Sequence, residues 1–286
     1  MVTSSSFPVQ IIKVCGNDTL SKSDLLAMEE PLEIRLLHGP QPQQTKNLSV
    51  TMRTPGNDNE LAIGFLFTEG IIKAIDEVIS VDHLARCSGN KIQITLAEGV
   101  NLSQQNLDRN FYTTSSCGVC GKTSIEAVKT VRSIPADNML LPQFLSETIL
   151  ALPSILRSHQ QVFDQTGGLH GCGLFTIDAQ LILAREDVGR HNALDKLIGA
   201  SLLQSLFPLY QYLLLLSGRV SFELVQKAWM AGITTIAAIG APSSLAVQTA
   251  EAFGITLVGF LRNNTFNIYT GTKNILINTY ENTHQG

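Results

Sequence analysis

The sequence predicts an α/β protein in which a three-layer α/β domain follows a smaller α+β domain. Three observations lead there. In the second half, apolar runs of strand length (YLLLLS, ITTIAAI, ITLVGFL) alternate with amphipathic segments of about a dozen residues (VSFELVQKAWMA, SLAVQTAEAF), the pattern of βαβ units with a largely parallel sheet. Gly232 and Gly254 stand just past the two amphipathic segments, where a left-handed helix cap belongs. The first hundred residues read differently, as alternating strand-like runs around a single helical one. With 286 residues, 44% of them apolar and only 15% charged, the chain is long enough for two packed cores. The expected division is residues 1–110 and 111–286, with the Asn- and Gln-rich stretch 101–110 as linker.

Taken in order, VQIIKV, PLEIRLL, LSVTMRT and KIQITLA are strands by alternation and β-branched content. Between the third and fourth, NDNELAIGFLFTEG is a helix: Asn57 or Asp58 caps it, Leu61, Phe65 and Leu66 recur at helical spacing, and Gly70 ends it. A helical stretch covers residues 143–163. Two strands, LHGCGLFTI and QLILARE, are joined at Asp178 and Ala179, and a helix covers residues 188–203. The alternating strands and helices then follow. This order, a helix, a hairpin and three αβ units, matches the core of the cytidine deaminase fold, so the larger domain is expected to be cytidine-deaminase-like. Such enzymes hold zinc with an H-x-E motif and a P-C-x-x-C motif at two helix starts. The corresponding places read EDVGRHNALDK and SGRVSFE, which leaves the scaffold without the zinc site and excludes deamination.

Twenty Lys and Arg against 24 Asp and Glu leave a net charge of −4, with no basic block to track a phosphate backbone. Nucleic acid is therefore not an expected partner. The N-terminus lacks a basic region followed by an apolar one, and the densest apolar stretch, 202–216, is interrupted by Gln204, Ser205, Pro208 and Gln211. The expectation is a soluble, cytoplasmic protein without a membrane partner. Five cysteines, an odd and sparse set, fit a reducing compartment and not a disulfide framework.

Only Cys117 and Cys120 form a pair, in YTTSSCGVCGKTSIEAV. Thr123 and Glu126 make a capping box that starts a helix just after them. The unpaired N–H groups of a helix start, with Lys122 alongside, favour the thiolate, which is the nucleophilic form. Three other readings stand beside a group-carrying thiol. The pair is half of a zinc site that His170 and Cys172 complete, or a thioredoxin-like redox couple, or two structural cysteines. No βαβ unit leads into residue 117, and H-x-C is an unusual ligand spacing, so neither metal nor redox cycling is the expected use.

At this point the sequence resembles the formate dehydrogenase accessory sulfurtransferase family (FdhD). The resemblance runs from about residue 32 to 271 and rests on six blocks in order: TTSSCGVCGK, TGGLHGCGLF, REDVGRHNALDKLIGA, LSGRVSFELVQKAWMAGI, APSSLAVQTAEAFG and VGFLRNNTFNIYTG. It implies a sulfurtransferase that takes sulfane sulfur from a cysteine desulfurase and holds it as a persulfide on Cys117, with Cys120 as partner. The sulfur then passes to the molybdenum cofactor, bis-molybdopterin guanine dinucleotide, for formate dehydrogenase, with GDP as a mimic of that cargo and a homodimer as the assembly. Two alternatives are a non-catalytic cofactor-binding chaperone and a structural zinc protein. One departure is Cys172 in HGCG, where the family has small apolar residues; Cys172 is expected to be an apolar filler.

In an open α/β sheet, ligands bind beyond the carboxyl ends of the strands. The loops there are Ser217-Gly218-Arg219, the stretch from Gly240 to Ser244, and the segment after Gly259. The resemblance places the cofactor segment on Phe260, Leu261, Arg262, Asn263, Asn264 and Thr265, with the Arg262 guanidinium suited to phosphate. Asp187 reads as an N-cap, and Arg190 as the ion-pair partner of Asp195 or Glu186. His170 and His191 are candidate proton shuttles beside a structural reading, and Trp229 reads as core.

Overall fold

The structure is a computed structural model that describes residues 5–84, 90–100 and 141–277. Cys87, Cys117, Cys120, Lys122 and the boundary region around residue 110 lie outside the described residues. The chain opens with an antiparallel ribbon of β1 (Ser6–Cys15) and β2 (Asp18–Ala27). A four-stranded sheet follows, built from β3 (Glu30–His38), β4 (Gln44–Arg53), β5 (Val78–His83) and β6 (Lys91–Leu96) in the order β4-β3-β6-β5. Leu32, Ile34 and Leu36 of β3 and Ile92, Ile94 and Leu96 of β6 alternate inward and are buried, as the period of two requires. Helix α1 (Asp58–Thr68) lies against that face.

The second half is the expected alternation, with two amendments. The stretch 143–163 divides into a two-residue strand β7 (Phe144–Leu145), helix α2 (Ser146–Ser158) and a short helix α3 (Gln161–Thr166). Then come β8 (His170–Phe175), β9 (Leu181–Asp187), α4 (Arg190–Leu203), β10 (Leu213–Leu216), α5 (Phe222–Met230), β11 (Thr235–Ala238), α6 (Ser244–Ala252) and β12 (Thr256–Arg262). The second amendment is a strand pair that the expected alternation did not include. The chain turns back at once as β13 (Thr265–Thr270), and the last described strand, β14 (Ile275–Leu276), pairs with β7. Asn263 and Asn264 both have positive φ, 52° and 59°, which is the two-residue type I′ turn that closes a twisted hairpin.

The six-stranded sheet runs β13-β12-β11-β10-β8-β9, with β10, β11 and β12 parallel and the outer strands antiparallel. Helices cover both faces. Ile149, Leu152 and Leu156 of α2 pack on Leu213, Leu215, Ala237 and Val258, while α4, α5 and α6 pack on Leu214, Leu216, Ile236 and Leu257. Gly232 and Gly254, with φ of +80° and +67°, close α5 and α6 as expected: the amide of Ile233 donates to the Ala228 carbonyl and that of Ile255 to Ala250. No helix among the described residues is long and apolar enough to cross a membrane.

Helix α4 joins the two sheets. Residues 192–202 are all buried, because α4 lies on the six-stranded sheet and carries α1 on its other side. The two backbones meet at glycines: a Cβ on Gly64 would sit 1.9 Å from the Asp195 carbonyl oxygen, and one on Gly199 would sit 1.9 Å from that of Glu60. Buried charges lock this contact. Lys227 of α5 lies 3.0 Å from Asp195, which also accepts from Thr68 at 2.8 Å. Burial acts to lower the pKa of Lys227, but the carboxylates of Asp195 and Glu69 outweigh it and raise it. Lys196 lies 2.7 Å from Asp187 Oδ2, which also accepts the amide of Thr54, so β4 is tied to the end of β9. Arg53 grips Asp58 with two hydrogen bonds of 2.9 Å.

Candidate functional site

The carboxyl ends of β10 and β11 open toward the start of β8, the point where the strand order changes direction. Ser217 fastens this corner: its hydroxyl accepts from the Gly171 amide at 2.8 Å, and its own amide donates to Gly171 at 2.9 Å. Beyond it, backbone hydrogen bonds zip three segments together. Gly240 donates to Gly218, Val220 to Ala241, Ser243 to Val220, and Phe260 to Gly240, at 2.9–3.2 Å. The approach is too close for side chains, since a Cβ on Gly240 would lie 2.7 Å from the Gly218 oxygen and one on Gly218 would lie 3.0 Å from the His170 ring. Ser243 caps α6 by accepting from the Ala246 amide.

The opposite wall comes from β9 and α4. Asp187 is not the N-cap; Gly189 is, and Asp187 instead receives the Gly189 amide while buried against Lys196. Neither Asp195 nor Glu186 takes the role expected of it: Asp195 faces Lys227, and Glu186 accepts the amides of Val162 and Phe163 at the start of α3. His191 points to α5, its Nε2 lying 2.9 Å from Glu223 and 3.3 Å from the Ser221 hydroxyl. His170 resists protonation because it is buried and because of the nearby charges of Arg190 and His191 and, less, Arg219, while Asp187 acts the other way. Burial would raise the Glu223 pKa, yet the hydrogen bond and charge of His191, with Lys227 and Arg190 further off, hold it below the ordinary value. The crevice therefore brings the guanidinium groups of Arg190 and Arg219 near the carboxylate of Glu223.

Of the expected cofactor residues, Ser217, Gly218 and Arg219 stand in this crevice, and Phe260 reaches it through its amide. Leu261 is core, 1% exposed and packed with α2, which leaves only its backbone for a ligand. Arg262, Asn263, Asn264 and Thr265 form the hairpin tip, with the Arg262 guanidinium 5.6 Å from the Phe260 ring. Asn264 and Thr265 border a shallow groove of about 780 Å³ whose far wall is Ser146 and Leu150 of α2. Trp229 stacks on Phe253 at 4.4 Å and belongs to the core.

The profile of the FdhD/NarQ family matches residues 27–276. The chain belongs to that family. A protein from Mycolicibacterium paratuberculosis named "Sulfur carrier protein FdhD" is 49% identical over 273 residues, covering 93% of this chain and 97% of that one. Its namesake from Streptomyces avermitilis is 46% identical over 277 residues, with 94% and 95% covered. The fold is shared with a solved chain described as a formate dehydrogenase accessory protein from Desulfotalea psychrophila, at 22% identity and a TM-score of 0.70 over 96% of this chain and all of that one. Against this family background the departure at Cys172 has a plain packing account. The thiol is 1% exposed, donates to the Ala193 carbonyl at 3.0 Å, and burial pushes its pKa far up, so it packs as an apolar filler.

The signal that sequence reading passed over is Glu223. It sits two residues after Ser221 in SGRVSFE, and its relation to His191 exists only once α4 and α5 lie side by side.

Proposed function

We propose that this protein is a sulfurtransferase of the molybdenum cofactor pathway. The observation that carries the reading is family membership over nearly the whole chain, with relatives named as sulfur carriers, together with the C-x-x-C pair in TTSSCGVCGK. The Cys117 thiolate attacks the outer sulfur of a desulfurase persulfide; the new S–S bond forms on Cys117, the donor's S–S bond breaks, and the donor leaves as a thiolate. Cys120 is the partner thiol of the loop. The cargo acceptor is bis-molybdopterin guanine dinucleotide, written here as substrate, and formate dehydrogenase is the beneficiary. The order hairpin, α4, β10, α5, β11, α6, β12 supports a cytidine-deaminase-like scaffold for this work, with the crevice at Ser217-Gly218-Arg219 and the segment Phe260–Thr265 as the cofactor surface. A cytoplasmic homodimer is the proposed form.

The test is intact-mass analysis after incubation with a cysteine desulfurase and free cysteine. A labile gain of one sulfur mapping to Cys117, and lost in Cys117→Ser, is expected. A persulfide confined to Cys172 or Cys87, or full function of Cys117→Ser in restoring formate dehydrogenase, rejects the proposal in favour of a binding chaperone.

A further inference from the structure

Glu223 Oε2 is bonded to His191, but Oε1 is shielded from solvent and has no hydrogen-bond partner among the described residues. A buried carboxylate oxygen left without a donor loses its solvation with no replacement, and native structures keep few of them. The rest of the carboxylate is well held. The side chain is 14% exposed, it stands in the first turn of α5 beside Ser221, and it shares the crevice with Arg190, His191 and Arg219. The residue is thus an ionised double acceptor with one oxygen unused, set among groups that attract anions.

The geometry points to Glu223 as the specificity residue of the crevice, reading the 2-amino-4-oxopyrimidine edge that guanine and pterin share. That edge presents two adjacent donors, N1–H and the exocyclic amine, and a carboxylate is its complement. Adenine offers one donor beside an acceptor and leaves an oxygen unpaired. The terminal torsion of a Glu side chain is soft, so the carboxylate turns as a unit to present Oε1 to the amine, and the His191 bond to Oε2 shifts with it. Arg219 and Arg190, whose charges act on His170 in the same crevice, then serve the phosphates, and Glu223 decides which base those phosphates carry. The inference rests on the proposed cofactor crevice and deepens it.

The experiment is calorimetric titration of the full chain with GDP, IDP and free pterin, using wild type and Glu223→Gln. IDP lacks only the exocyclic amine. In the variant, the Gln oxygen still accepts from His191 while its NH₂ replaces Oε1, setting donor against donor. Wild type is expected to bind GDP ten- to hundredfold more tightly than IDP, the usual worth of a charge-assisted hydrogen bond. In Glu223→Gln, GDP affinity should fall to the IDP level while IDP changes less than threefold. Free pterin competing with GDP on wild type and not on the variant assigns the pterin end of the cargo to this site; GDP discrimination alone assigns the nucleotide end. Equal binding of GDP and IDP by wild type, a comparison that needs no variant, overturns the role of Glu223 and spares the crevice. Absence of any binding to wild type overturns the crevice itself.

Discussion

Replacing Gly199 by alanine tests the helix crossing on which the site is mounted. The new Cβ would lie 1.9 Å from the Glu60 carbonyl oxygen and 2.9 Å from the Gly64 nitrogen, against 3.4 Å for ordinary contact. The shortfall of about 1.5 Å is against backbone on both sides, so no side chain can swing away. Helices α1 and α4 must move apart, opening the contacts of Leu61, Leu194 and Ile198 in the core between them. Overpacking of this kind costs about 1–3 kcal/mol, and backbone against backbone belongs at the top of that range. Alanine returns about 1 kcal/mol through its better helix propensity. The expected net loss is about 2 kcal/mol, measured as the shift in a reversible urea unfolding curve at constant slope. Gly64→Ala meets the Asp195 carbonyl at the same 1.9 Å and should cost a similar amount. Because one separation accommodates both methyl groups, the double variant should lose clearly less than the two singles added. Either single variant matching or exceeding wild-type stability would refute the reasoning.

Two further outcomes follow from the site. Arg262→Ala, at the exposed hairpin tip, should weaken GDP binding about tenfold while sulfur loading on Cys117 stays near normal; poor loading with unchanged GDP affinity would place the tip against the sulfur donor instead. His170 has its pKa lowered by burial and by Arg190, His191 and Arg219, so its neutral form is the one the fold favours. Stability from this residue is complete above the unfolded imidazole value of about 6.5 and is lost as the pH falls through the lower folded value. His170→Asn should therefore flatten the decline of the melting temperature between pH 7 and 5, and parallel profiles for variant and wild type would contradict this.

The framework was legible where local physics decides it. Leu32, Ile34 and Leu36 alternate because one face of β3 is buried, and Gly232 and Gly254 mark helix ends because only glycine takes that backbone turn freely. Strand β2 escaped notice, since DTLSKSDLLA is exposed on most positions and carries no alternation to read. The Asn263-Asn264 pair is a hairpin signal, but the strand after it, TFNIYT, alternates only exposed and half-buried positions and offers no apolar face to read. Asp187 shows a different limit: a carboxylate near a helix start reads as a cap, and only the fold reveals Lys196 buried against it. In the same way the Glu223–His191 pair spans two helices, and no spacing rule connects residues so far apart in the chain.

The contact between α1 and α4 also sets a timetable for synthesis. Thr68 and Asp195, bonded across it, are separated by 127 positions. At about 5–20 residues per second, roughly 6–25 s pass between the emergence of α1 from the ribosome and that of its partner. During that interval Leu61, Ile63 and Leu66, wholly covered in the finished fold, have only the four-stranded sheet to shelter them. A nascent chain paused before α4 is thus a natural client for a hydrophobic-segment chaperone, and slowing translation downstream of residue 100 should lower soluble yield more than slowing it beyond residue 210.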